Sequence, residues 1–333
     1  FMFLVSLNKH LRLINWFKEK KIQEPNLIEY LDLVSLGTVC DVVPLTGLNR
    51  AIVKQGLKVL KSKKNLGLKT LIDICGINTQ PNVYHMGYVL GPRINAGGRV
   101  GKSSHGANLL LNNNAKEVFK IASELDQFNK ERQYLEEDVL NKIAIEANKT
   151  QSDPVIILSG KNWHEGVIGI VASRLKDKFN KPVIIITVDK NLGKASARSV
   201  IGFDIGSIII AAMQEKILIK GGGHKMAGGF TIDVNNIEKF KEFVLKKFKK
   251  KDKNHTKEKY LYLDSIISPA ALNLDFFNKI NSLAPFGSGN PEPKFVIENL
   301  KTLNNKVIKN KHVKSVLLGQ DGNTIKTIAF NSA

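Results

Sequence analysis

Two short runs in this 333-residue chain combine residue types that can hold an anion. The first is Gly221-Gly222-Gly223-His224, continued by Lys225-Met226-Ala227-Gly228-Gly229-Phe230. Consecutive glycines let the backbone take positive φ and approach a ligand with no Cβ in the way. Successive free N–H groups in such a turn form a concavity suited to phosphate. His224 stands at the rim, able to donate to a phosphate oxygen or exchange a proton near neutral pH. A plain tight turn leading into the strand Gly229-Phe230-Thr231-Ile232 would use the same residues. The second run, Ser196-Ala197-Arg198-Ser199, favours the anion reading. It adds two hydroxyls and a guanidinium whose paired N–H donors match phosphate.

Three other places carry candidate chemistry. The stretch Gly91-Pro92-Arg93-Ile94-Asn95-Ala96-Gly97-Gly98-Arg99-Val100-Gly101 holds four glycines, one proline, two arginines and an asparagine. That makes a poor core element and a good ligand-facing loop. Arg93 and Arg99 could neutralise phosphate or developing charge, or each could be an ordinary salt-bridging arginine. Asp41 sits inside the apolar run Gly37-Thr38-Val39-Cys40-Asp41-Val42-Val43-Pro44, where a carboxylate is costly unless paired or bound to a cation. It is a candidate ligand for Mg²⁺ or Mn²⁺; the alternatives are an N-cap or a partner for Arg50. Asp32, upstream, reads as structural. His164, in Asn162-Trp163-His164-Glu165-Gly166, falls between an expected strand and an expected helix, so it is either a phosphate contact or the helix cap.

The elements that must position these residues follow from periodicity. Leu4, Leu7, Leu11, Ile14 and Phe17 repeat at helical spacing, and further helices are expected over 49–60 and 68–75. From 115 to 148 there is no Gly or Pro, and Ile121, Leu125, Phe128, Leu135, Val139 and Ile143 mark an apolar stripe. Such a helix reads as a strut joining two domains. Beyond Pro154, strands over 155–158 and 183–187 alternate with helices over 166–179, 203–214 and 237–250, which predicts parallel pairing in an α/β layer. A lysine-dense segment, 246–259, with Asp252, Asn254 and His255, reads as a solvated linker or a track for a nucleic-acid backbone. The runs Tyr260-Leu261-Tyr262-Leu263, Phe295-Val296-Ile297, Ser315-Val316-Leu317-Leu318 and Thr327-Ile328-Ala329-Phe330, with a turn at Asp321-Gly322, suggest a small oligonucleotide-binding barrel.

Composition bounds the partners. Fifty Lys and Arg face thirty Asp and Glu, a formal charge of +20 that attracts polyanions, nucleic acid first among them. Lysine and asparagine are abundant throughout, so part of this excess is ordinary solvated surface. Hydrophobic residues make up 43%, enough for real cores, and no uncharged apolar run is long enough to span a bilayer. The two cysteines, Cys40 and Cys75, exclude a disulfide framework and fit a reducing cytoplasm.

Several of these runs resemble one family. They are Asp32-Leu33-Val34-Ser35-Leu36-Gly37-Thr38-Val39-Cys40-Asp41-Val42-Val43-Pro44-Leu45, Gly91-Pro92-Arg93-Ile94-Asn95-Ala96-Gly97-Gly98-Arg99, and Trp163-His164-Glu165-Gly166-Val167-Ile168-Gly169-Ile170-Val171-Ala172-Ser173-Arg174-Leu175. With Ser196-Ala197-Arg198-Ser199, Gly222-Gly223-His224 and Ala284-Pro285-Phe286-Gly287-Ser288-Gly289-Asn290-Pro291-Glu292-Pro293, they resemble RecJ exonucleases of the DHH phosphoesterase superfamily. The likeness runs over about residues 1–330. It implies an α/β fold in four parts: the C-terminal part of a DHH phosphoesterase domain (1–112), a connecting helix (113–150), a DHH-associated α/β substrate domain (151–250) and an incomplete OB-like barrel (256–333). It implies 5′→3′ digestion of single-stranded DNA in repair and recombination, with two Mn²⁺ or Mg²⁺ ions.

On that resemblance Asp41 would ligate metal, and Arg93, Asn95 and Arg99 would line the cleft. Ser196, Arg198, Ser199, Gly222, Gly223 and His224 would hold substrate phosphate with His164 nearby. Partners would be single-stranded DNA, a single-strand-binding protein and a helicase, for a monomer with no membrane attachment. The family's Asp-His-His motif and its Asp-rich metal motif do not occur in the chain. The chain reads as a fragment, expected to degrade no DNA alone. Within the same superfamily, a phosphodiesterase for short oligonucleotides or cyclic dinucleotides is the alternative enzyme, and a non-catalytic DNA-binding scaffold the alternative of another class.

Overall fold

The computed structural model describes residues 1–251 and 260–332. In chain order the elements are α1 (Met2–Leu13), α2 (Trp16–Glu19), α3 (Leu31–Cys40), α4 (Gly47–Lys61), α5 (Leu66–Ile74), α6 (Gly91–Val100), α7 (His105–Leu111) and α8 (Ala115–Lys149). There follow β1 (Ile156–Lys161), α9 (Glu165–Phe179), β2 (Val183–Asp189), β3 (Leu192–Arg198), α10 (Ile205–Gln214), β4 (Lys220–His224), β5 (Ala227–Asp233) and α11 (Ile237–Lys251). The last are β6 (Ser265–Ile266), α12 (Leu274–Asn281), β7 (Phe295–Val296), β8 (Lys301–Ile308), β9 (His312–Leu318) and β10 (Thr324–Ala329). Two compact units divide the chain: residues 1–64, 79–87 and 258–333 form one, and 65–78 with 88–257 form the other. Among the described residues no helix is long and apolar enough to cross a membrane. Residues 252–259 of the lysine-dense stretch, with Asp252, Asn254 and His255, lie outside the described residues.

In the first unit, α3 and α4 pack so closely that a Cβ on Gly56 would stand 2.2 Å from the Leu31 carbonyl oxygen. Ser35, fully buried, donates to the Ile52 carbonyl at 3.2 Å across the same contact. Asp32 is buried, its Oδ1 accepting the Leu33 N–H at 2.7 Å, and burial pushes its carboxyl up. That agrees with a structural role. The segment after α12 is tied to the start of α4: Leu45 N donates to Ser288 O at 2.6 Å, and Arg50 donates to Leu283 O. β8, β9 and β10 form an antiparallel meander, while β6 and β7 pair in parallel, so the OB-like region is a set of partial sheets, not a closed barrel. The hairpin at Asp321-Gly322 forms as its sequence predicts, with Gly322 at φ +78°. The alternating run at 260–263 is not a strand: its side chains are exposed, and pairing begins only at Ser265.

The second unit is a mixed sheet of order β1-β2-β3-β5-β4 between two helical layers. Parallel pairing holds only for β1 with β2; β2–β3, β3–β5 and β5–β4 are antiparallel. The short connections after β2 and β4 carry no crossover helix, and antiparallel pairing follows. Alternate residues of β2 go to opposite faces: Val183 and Ile185 pack with α8 and α9, Ile184 and Ile186 with α10 and α11. A central strand covered on both sides therefore reads as an unbroken apolar run.

The long helix α8 lies inside this unit and connects its earlier helices to its sheet. Its first half packs on α5, α6 and α7, its second on α9 and β1. Val118, Ala122 and Leu125 are buried at one end, and Val139, Ile143 and Ala147 at the other. A stripe covered along its whole length needs a continuous core, not a solvated span.

Candidate functional site

The second unit has a groove of ≈ 760 Å³ on the α9 side of the sheet, lined among others by Arg99, Glu165, Gly169, Lys194, Ser196, Arg198, Lys220, Gly222, Gly229 and Thr231. Strand register explains the assembly. β3 alternates Lys194-Ala195-Ser196-Ala197-Arg198, and the two alanines are buried in the α10 core. The three polar residues therefore share the opposite face. Pairing across β5 to β4 sets up three rows: Lys194–Thr231–Lys220, Ser196–Gly229–Gly222 and Arg198–Ala227–His224. The middle row has no side chain after Ser196, which leaves the floor open.

Arg198 is half-buried and donates through Nη1 to Ser196 Oγ at 3.1 Å and to Ala197 O at 2.8 Å. Burial first, and the neighbouring Arg99 second, hold its guanidinium below the usual arginine range. Arginine has so high a reference value that it stays charged. Arg99 is exposed and donates to Gly166 O at 3.2 Å. Neither arginine forms an ion pair among the described residues, whereas Lys194 pairs with Glu165 at 2.5 Å. Two cations held without a carboxylate, next to a hydroxyl and exposed backbone, suit an anion rich in oxygen acceptors.

The structure redistributes the other sequence candidates. Gly91 to Val100 is the helix α6, not a loop. Gly97 serves close packing, since a Cβ there would lie 2.6 Å from Lys102 O and 3.3 Å from Leu125 Cδ2, whereas Gly98 has open space and borders the groove. Arg93 is spent on structure, donating from Nε to Asp126 Oδ1 at 2.8 Å and from Nη1 to Val89 O at 2.9 Å. It does not line the groove, and neither does the exposed Asn95. Ser199 is buried, its hydroxyl donating to Phe203 O at 2.6 Å, so it is turned from ligand to scaffold.

His164 is the cap of α9, its Nδ1 accepting the Gly166 N–H at 3.1 Å, which leaves Nε2 as the protonated nitrogen of the neutral ring. His164 and His224 are exposed and absent from the groove lining. His224 Nδ1 accepts the Met226 N–H at 3.3 Å. It shares a row and a face with Arg198, but two strand spacings, roughly 10 Å, separate them.

The three glycines are not a turn. They form the edge strand β4, and the reversal falls on Lys225-Met226. Gly222 faces the groove, while Gly221 and Gly223 let neighbouring chain approach: a Cβ on Gly221 would meet Ile209 Cγ2 at 2.9 Å, and one on Gly223 would meet Ala227 O at 2.4 Å. Lys194, Lys220 and Thr231 escaped the sequence reading. The Lys-Ala-Ser-Ala-Arg alternation signals the first; the other two need the register.

Asp41, in the other unit, is an exposed carboxylate at the C-terminal cap of α3, and no ion pair joins it to Arg50. Among the described residues no group of three or more His, Cys, Asp or Glu is placed to hold a metal ion. These residues do not fit a two-metal site.

Residues 132–250 match the DHHA1 domain and residues 263–333 the RecJ OB domain. Over 99% of its length the chain is 32% identical to the single-stranded-DNA-specific exonuclease RecJ of Salmonella typhimurium. The chain belongs to the RecJ family. It superposes over 95% of its length, with TM-score 0.81 and 29% identity, on the crystal structure of RecJ in complex with Mn²⁺ from Thermus thermophilus, of which it covers 46%. The Mg²⁺ complex of the same RecJ gives TM-score 0.76 at 28% identity, over 94% of this chain and 53% of that one. The chain spans 59% of the length of the Salmonella RecJ. The groove lies wholly within the second unit and takes part of its wall, Gly98 and Arg99, from α6, ahead of the residues matched to the DHHA1 domain.

Proposed function

We propose that this chain holds phosphates of single-stranded DNA in the groove of its α/β unit. We further propose that the whole protein is a RecJ-type exonuclease, releasing nucleotides 5′→3′ by divalent-metal-assisted hydrolysis. One observation carries the reading: Arg99 and Arg198, both without a carboxylate partner among the described residues, line one groove with Ser196 over a glycine floor. The relatives named as single-strand-specific exonucleases support the substrate. Mn²⁺ or Mg²⁺, present in the Thermus thermophilus RecJ crystals, is the proposed cofactor, with Asp41 the carboxylate this chain would offer. No hydrolytic step is assigned to the described residues; they bind and orient. The OB-like sheets would hold the strand by stacking and charge. On this reading the protein works as a cytoplasmic monomer on strands presented by a helicase and a single-strand-binding protein.

A second reading, a DNA-holding scaffold without hydrolysis, is favoured by the lack of a three-ligand metal group among the described residues. One experiment addresses both. Oligonucleotides with and without a 5′-phosphate are incubated with the 333-residue chain or its Arg198→Ala variant in Mn²⁺, and binding and nucleotide release are followed together. The parent is expected to prefer the phosphorylated strand, R198A to lose that preference, and neither to release nucleotides. Equal binding of both strands by both proteins sinks the phosphate assignment. Metal-dependent release by this chain sinks the scaffold reading and the division of labour proposed here.

A further inference from the structure

Gly169 lies in the first half of α9, between the buried Ile168 and the half-buried Ile170, on the helix face that borders the groove. An internal helix glycine is less favourable than alanine, so its presence calls for a local reason. Two glycines of the same helix differ instructively. A Cβ on Gly166 would strike backbone, 2.3 Å from Arg99 O, so that glycine is needed for α9 to pack against the end of α6. A Cβ on Gly169 would meet, as its three nearest atoms, side chains only: Arg198 Nη2 at 3.0 Å, Ser196 Oγ at 3.0 Å and Arg198 Cζ at 3.7 Å. The absent side chain is thus matched to the two ligand-facing groups.

We propose that Gly169 is a specificity-determining position: its bare backbone lets the Arg198 guanidinium and the Ser196 hydroxyl lie against α9 with donors presented to a phosphate. A methyl group there would stand 3.0 Å from both polar atoms, so that they must give way by a few tenths of an ångström. Arg198 is tethered by Nη1 to Ser196 Oγ and Ala197 O, so relief comes from rotating Nη2 away from its present direction. The ligand then loses a charge-assisted donor while the core beneath Ile168 and Val171 is untouched. This rests on the phosphate reading of the groove.

The test uses the full 333-residue chain and a fluorescent 5′-phosphorylated single strand, comparing parent, Gly169→Ala, Arg198→Ala and the double variant by anisotropy, with thermal unfolding alongside. G169A is expected to weaken binding about tenfold, the worth of one hydrogen bond to a charged group. Its Tm should be equal to or above the parent's, since alanine favours the helix. The double variant should bind no more weakly than R198A, because Gly169 acts through Arg198. Parent-like affinity of G169A while R198A binds poorly overturns this inference and leaves the phosphate reading standing. A lowered Tm, or additive losses in the double variant, also overturns it, since the methyl would then act on the fold and not on Arg198. If R198A itself binds as the parent does, the phosphate reading fails first.

Discussion

Arg93 and Arg99 stand six positions apart on α6 and have opposite fates. At about 100° per residue, six residues turn a helix through some 240°, so the two side chains leave on different faces. Arg93 meets Asp126 on α8, and both are largely buried, with side chains 19% and 13% exposed. Burial alone would raise the Asp126 carboxyl, but hydrogen bonds from Lys130 and Arg93 outweigh it and hold the group below the usual aspartate range. A carboxyl depressed in the folded state contributes stability that is present above its unfolded value, about 3.9, and lost as pH falls through the lower folded value. The urea midpoints of the parent and of Asp126→Asn should therefore converge on acidification: the variant is less stable than the parent at pH 7, and the gap narrows at pH 3. A gap that is constant or widens on acidification contradicts the ion pair as the source. Arg99, released to the other face, keeps its charge for the groove. None of this division was legible in the residues themselves, because two arginines in one glycine-rich run look equivalent until the run is known to be a helix.

At the scale of elements, α8 shows how far periodicity reaches. Its extent, 115–149, is nearly the gap between breakers that the sequence displays, and of its apolar stripe Leu125, Val139 and Ile143 are buried while Ile121, Phe128 and Leu135 are half-buried. What the stripe does not display is the polar set on the same face. Asn129 and Glu136 are each 1% exposed; Arg132 donates to Asn129 Oδ1 and to Glu136 Oε2, both at 3.0 Å, and Arg174 on α9 lies against Glu136 Oε1. Burial first lowers the Arg132 guanidinium, Glu136 opposes that, and Arg99, Arg174 and Arg93 add to the lowering. Glu136 is thus the carboxylate that lets basic side chains gather behind the groove and that pins α9 to α8. Removing one partner of a buried ion pair leaves an uncompensated charge, so Glu136→Ala should cost about 3–5 kcal/mol in urea unfolding. The same reasoning predicts partial recovery when Arg132→Met is added. A loss below about 1 kcal/mol would show that water or neighbouring groups already compensate Arg132.

Element type and order were readable from the chain where apolar spacing is strong, as in α8, α9 and β2. They were misread where glycine dominates, in α6 and β4. Glycine signals permissiveness, and a turn, a close helix packing and a bare strand all use it. The direction of pairing was also misread, since β3, β4 and β5 follow hairpin-like returns that alternation with helices had hidden.

For the molecule as a whole, the charge of +20 sets a general attraction for polyanions, and the question is which lysines and arginines contact them. The motif content sufficed to identify the family, because long runs stand in fixed order along the chain. It could not sort Ser196 and Arg198, which line the groove, from Ser199, which is buried beside them. That separation comes from strand alternation and from register with β5, information spread over three strands. Salt dependence reads it out directly. Each phosphate contact to a single strand adds about 0.7 to the slope of log K against log salt. The decisive measurement is single-strand affinity across a salt series for the 333-residue chain and for the Arg99→Ala/Arg198→Ala double variant. The groove as phosphate holder predicts weaker binding and a slope shallower by about 1.4 in the variant. Superimposable salt curves for the two proteins would contradict it.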